Sequence, residues 1–198
     1  MRAVLVIGIH REELAFGEAV AAGLDLSQLA LLRIPAGVSG VRPSQDQAFY
    51  YRTNHQELYL QLLAQVRGHY DLLLDLHAGV NEPGRCADLI CADRHLLACL
   101  LDQRSPAQPP PSGELVRGVL LAGPDDPPRV GDALLSAHTV IPRSVWDNAA
   151  FRYLGIEVFL PTAGAGLPAD WTFARRLIEQ ALVCAGARDP PASSSKFG

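Results

Sequence analysis

No apolar run in this chain is long enough to span a bilayer. The sequence enters an apolar segment directly after Met1-Arg2-Ala3, without the architecture of a signal peptide. It has no Lys/Arg block, and its formal net charge is −4, which argues against nucleic acid as the main partner. There is no CxxC clamp: Cys86, Cys91, Cys99 and Cys184 are widely spread and are expected to be small buried hydrophobes rather than a second metal site or a disulfide framework. Cys86 and Cys91 share one apparent strand at odd spacing, so they should face opposite sides. A GxSxG nucleophile elbow, a Walker loop, a GxGxxG fingerprint and internal repeats are all missing, which removes the usual rival α/β enzymes. The expected location is the cytoplasm, with neither membrane nor nucleic acid as partner.

What is present is a globular composition. The 198 residues are 48% hydrophobic and 19% charged, enough for one sizeable core. One domain is expected over residues 1–187, followed by a disordered Pro/Ser-rich tail over 188–198. Apolar runs suggest strands at 4–9, 29–34, 71–77, 86–92, 119–122 and 154–160. Helical patterns follow at 14–23, 94–103 and from Pro168 or Ala169 onward. Residues 44–54 read as a long irregular stretch, with Asn54 capping a helix whose buried stripe includes Leu58, Leu62 and Val66. The proline-rich stretches 104–113 and 123–128 read as loops.

Three of the apolar runs end in chemistry. The first leads to His10 and, three residues on, Glu13. If a helix starts there, the imidazole and the carboxylate stand on neighbouring corners of its first turn. The run Asp71 to His77 again delivers a histidine to a strand end, and functional side chains gather at the carboxyl ends of parallel strands. His10, Glu13 and His77 thus make the His2Glu set that holds one catalytic zinc ion with a position left for water. Glu157 is a lone carboxylate inside an apolar strand, costly to bury without a task, and is the candidate general base.

HxxE at His10 and Glu13, DLH at 75–77 and GIEV at 155–158, in this order, resemble the aspartoacylase and succinylglutamate desuccinylase branch of the zinc carboxypeptidase superfamily. The resemblance runs to about Ala187 and includes the glycine-rich turn and helix after Glu157. It implies an α/β fold of three layers, with a mixed, mostly parallel sheet and helices on both faces. Members often carry a further small β domain, and this chain is expected to lack it. The resemblance also implies a substrate-binding arginine pair. Arg52 is matched to the substrate carboxylate and Arg42 to the scissile carbonyl, with Tyr51 where the family has asparagine.

Asn54, Arg143 and Tyr153 are further candidates for substrate contact, while His55, His69, His95 and His138 read as surface residues. The function expected is a zinc-dependent hydrolase that cleaves the amide bond of an N-acyl amino acid or a related small carboxylate-bearing amide. Metal-activated water attacks, and Glu157 takes up its proton. A carboxypeptidase acting on peptide C-termini, or a metal-binding module without catalysis, are the alternatives. A homo-oligomer is left open.

Overall fold

In the computed structural model, residues 1–41, 47–80, 82, 84–102, 113–123 and 135–186 are described. The two long proline-rich stretches and the tail therefore fall wholly or mostly outside the described residues, as does Arg42. The chain builds a mixed sheet of seven strands: β1 (Ala3–Ile7), β2 (Leu29–Arg33), β3 (Leu72–Gly79), β4 (Arg85–Cys91), β5 (Glu114–Leu121), β6 (Leu135–Ala137) and β7 (Arg152–Phe159). Their order is β2-β1-β3-β7-β4-β5-β6. All neighbours are parallel except β4 and β7, which run antiparallel.

The period of two along each strand sorts the side chains into two cores. Ala3, Leu5 and Ile7 face one side with Leu72, Leu74 and Leu76 of β3, and with Leu154, Ile156 and Val158 of β7. Helices α1 (Leu14–Ala21), α3 (Arg94–Asp102) and α5 (Pro168–Gly186) cover that side, through residues such as Phe16, Leu97 and Phe173. Val4, Val6, Leu73 and Tyr153 face the other way, against α2 (Ala48–Val66) and the short α4 (Arg143–Trp146). This is the three-layer arrangement expected. Strands β1 and β3 are continuous apolar runs because they lie in the interior of the sheet, covered on both faces.

Three expectations need correction. Helix α2 begins at Ala48, so Asn54 lies inside it and caps nothing, and its side is exposed. No proline or glycine interrupts residues 48–66, and the apolar face of the helix packs on β1 and β3, which carries the helix through the polar stretch read as irregular. Strand β5 is longer than 119–122, because parallel pairing with β4 along its whole length recruits Glu114 to Gly118. Cys99 and Cys184 form a disulfide, with Cα atoms 5.8 Å apart, that joins α3 to α5. Both residues fall on the inner faces of adjacent helices, a proximity that 85 intervening residues hide from the sequence. Cys86 and Cys91 are free and buried, on opposite faces of β4.

Candidate functional site

Glycine opens the site. Gly8 follows β1 with φ 82°, and a Cβ there would sit 2.6 Å from the Ile34 carbonyl oxygen. Only glycine tolerates that backbone so close to its neighbour. The chain then makes an isolated parallel bridge from His10 to Val38 and one short 3-10 turn over Arg11–Glu13. The turn brings Glu13 back over His10, so that His10 Nδ1 lies 2.7 Å from Glu13 Oε1.

His77 approaches the same carboxylate from β3, with Nδ1 2.9 Å from Glu13 Oε2. One ligand atom from each of His10, Glu13 and His77 falls within 4.8 Å of the others. Two imidazole nitrogens and a carboxylate oxygen are a donor set that suits zinc. The residues therefore fit the ion that the sequence implies.

Strand parity supplies the rest. Asp75 and His77 point to the α2 side of β3, and Tyr153, Gly155 and Glu157 to the same side of β7 beside them. Asp75 is completely buried. Its Oδ2 accepts hydrogen bonds from the Tyr59 hydroxyl at 2.7 Å and the Tyr153 hydroxyl at 2.9 Å. Its Oδ1 has no hydrogen-bond partner among the described residues and stands 3.1 Å from His77 Nε2. A carboxylate behind the second nitrogen of a metal-binding histidine fixes the ring and raises its basicity. Burial alone would pull the His77 pKa down, but Asp75 and Glu13 lift it well above the ordinary histidine value. Burial pushes the Glu13 carboxyl the opposite way, and the His10 and His77 hydrogen bonds outweigh that, leaving it lowered.

Glu157 is paired in register with His77 across β3 and β7, and opposite Asp88 of β4. It shares with His10, Glu12, Glu13 and Tyr51 the lining of a cavity of about 400 Å³. Burial raises its pKa, the negative charges of Glu13 and Asp88 add to the rise, and His77 opposes it. Asp88 is paired with Arg117, which also donates to Glu82. Gly79 makes room: a Cβ there would lie 2.9 Å from Glu157 Oε1.

The other candidates are placed differently. Arg52 and Asn54 are exposed on α2; Asn54 lines a neighbouring apolar pocket, and neither lines the cavity beside Glu157. Arg143 lies on α4, pairs with Asp147 and stacks over Trp146. Tyr153 is buried, its hydroxyl donates to Asp75, and it does not line the cavity beside Glu157. His69, His95 and His138 are exposed as expected, but His55 is only 2% exposed and its Nε2 stands 3.1 Å from His10 Nε2. The missed signal was a helical stripe: His55, Tyr59, Leu62 and Val66 recur at the spacing of one buried face.

No family model matches this sequence, and no curated protein does. Solved structures similar to it include murine aminoacylase 3, at 18% identity and a TM-score of 0.48, over 94% of this chain and 64% of that one. They include the succinylglutamate desuccinylase from Chromobacterium violaceum, at 18% identity and a TM-score of 0.45, over 96% of this chain and 62% of that one. The CwlD amidase from Clostridioides difficile is also similar, at 9% identity and a TM-score of 0.46, over 94% of this chain and 97% of that one. This chain thus spans less than two thirds of the length of the aminoacylase and the desuccinylase.

Proposed function

We propose that residues 1–187 form a metallohydrolase that cleaves an amide bond of a small N-acyl amino acid or related carboxylate-bearing amide. The observation that carries this reading is the convergence of His10 Nδ1 and His77 Nδ1 on the Glu13 carboxylate, with Glu157 lining the same cavity. Zinc held by His10, Glu13 and His77 would supply a Lewis acid that polarises the amide carbonyl and makes water nucleophilic near neutral pH. Glu157 accepts the proton of the attacking water and passes it to the nitrogen of the leaving amine. Its raised pKa suits both halves of that transfer, because the group takes a proton more readily than an ordinary carboxylate and can still release it.

Tyr51 and Val41 wall the cavity toward α2, where the substrate is held. The carboxylate of the substrate is matched to Arg52, exposed on α2, and the scissile carbonyl to Arg42, which lies outside the described residues. A guanidinium grips a carboxylate through two parallel hydrogen bonds.

The test is a panel of N-acyl amino acids and peptides, assayed with the zinc-loaded chain, the chelated chain and Glu157→Gln. The expected result is hydrolysis of N-acyl amino acids that chelation abolishes, and a loss of roughly 10²–10⁴-fold in kcat for Glu157→Gln with zinc still bound. Turnover that survives complete chelation, or a Glu157→Gln variant as fast as the parent, sinks the proposal. Release of C-terminal residues from peptides in place of deacylation would move the substrate to the carboxypeptidase class.

A further inference from the structure

Behind the two metal-binding imidazoles stand two different partners. His77 is backed by the buried carboxylate of Asp75, whereas His10 is backed by another imidazole, that of His55. His55 lies in the second turn of α2, its ring 4.1 Å from the Tyr51 ring and its Nδ1 2.7 Å from the Tyr51 carbonyl oxygen. A carbonyl can only accept, so His55 Nδ1 carries a hydrogen. In the neutral ring Nε2 is then a lone pair, and it faces His10 Nε2 at 3.1 Å.

Two arrangements of hydrogen satisfy that contact. If His10 donates from Nε2, its Nδ1 is left as a lone pair directed at Glu13 and the metal position. If His55 donates instead, His10 must carry its hydrogen on Nδ1, where it blocks a cation. Only the first arrangement agrees with neutral His55 bound to the Tyr51 carbonyl. Gly40 closes the other side: a Cβ there would come within 3.1 Å of the His10 ring, so the imidazole has little room to turn.

We propose that His55 is the positioning residue of the first metal ligand: it accepts the Nε2 hydrogen of His10, anchored in turn by the Tyr51 carbonyl, and so presents His10 Nδ1 to the cation. The proposal rests on the metal site put forward above. It makes the site asymmetric, because one ligand is supported by a charged acceptor and the other by a neutral one. A hydrogen bond to an ionised acceptor is roughly twice as strong as one between neutral groups, so His10 is the ligand more easily displaced.

Zinc affinity of the full chain, measured by competition with a chromophoric chelator, separates this role from mere packing. His55→Phe keeps the size of the ring and removes the acceptor, while His55→Gln restores an acceptor near the position of Nε2. Expected is a loss of about 10–100-fold in zinc affinity for His55→Phe, recovered to within a few-fold of the parent by His55→Gln. The visible spectrum of the cobalt-substituted protein should change for His55→Phe and not for His55→Gln. Equal affinity of His55→Phe and the parent, or equal losses in both variants, overturns the role of His55 and leaves the metal site intact. No uptake of zinc by the parent overturns both. Should His55→Phe not fold, nitrogen NMR of the zinc-loaded parent decides: hydrogen on Nε2 of His10 and Nδ1 of His55 supports the proposal, and hydrogen on Nε2 of His55 refutes it.

Discussion

Gly79 and Glu12 are the residues at which small changes reach the chemistry most directly. A methyl group at position 79 would meet Glu157 Oε1 at 2.9 Å and the Phe159 ring at 2.8 Å. Gly79→Ala should therefore displace the Glu157 carboxylate, costing about 1–3 kcal/mol of stability from overpacking. Kinetics and thermal unfolding check this together: the expected outcome is a fall in kcat larger than the fall in zinc content. Glu12 also lines the cavity, and its carboxylate accepts from the Ser39 hydroxyl and the Gly40 N–H. Burial acts to raise its pKa, but those hydrogen bonds bring it from 4.5 to about 2. A depressed carboxylate stabilises the fold above its unfolded pKa and loses that contribution as pH falls through the folded one. The stability advantage of the parent over Glu12→Gln should be full above pH 4.5 and vanish toward pH 2, read from denaturant melts across that window. At this scale the sequence exposed the two imidazoles that converge on Glu13, those of His10 and His77, because each stands at the end of an apolar run. It concealed His55, since a polar residue on a buried helical face looks like a surface residue until the face is located.

At the scale of elements, neighbouring strands β3 and β7 make the interior of the site. Their shared register puts Asp75 beside Gly155 and His77 beside Glu157. The Tyr153 hydroxyl lies 3.2 Å from where a Cβ of residue 155 would be, so the glycine leaves the route from Tyr153 to Asp75 open. Tyr59 reaches the same carboxylate oxygen from α2. Tyr59→Phe and Tyr153→Phe each remove one hydrogen bond from a buried charge and should cost about 1–3 kcal/mol. The double variant should lose more than either single one, and zinc affinity should drop with it, both measurable by denaturant unfolding and chelator competition. The strands themselves were legible as apolar runs with parity-matched polar interruptions. Where α2 begins was not, because residues 49–54 are polar or aromatic, and the apolar stripe that secures the helix lies further along it. The reversal of β4 relative to β7 was equally hidden, because the residue pattern of a strand does not mark its direction.

For the molecule as a whole, the fold class was implied by the resemblance that the HxxE, DLH and GIEV motifs carry, but one covalent link was not. The Cys99–Cys184 bond closes a separation of 85 residues, and opening it should lower stability by about 2–4 kcal/mol. Thermal unfolding with and without reductant measures the difference, and the double serine variant should match the reduced parent. The thiol of Cys91 is pushed up to about 12 by burial, so alkylating reagents should leave it unmodified in the native protein near neutral pH. Disulfides persist in oxidising compartments and are rare in the cytosol. Trapping thiols at lysis therefore tests the expected cytoplasmic location as well as the bond. No helix among the described residues is long and apolar enough to cross a membrane.

The bond ties two helices on one side of the sheet, while His77 and Glu157 project from the other. The crosslink and the candidate site consequently lie on opposite sides of one wall. An engineer could toughen or weaken the back of this protein, by adding or deleting crosslinks there, and expect its Michaelis constants to stay where they were.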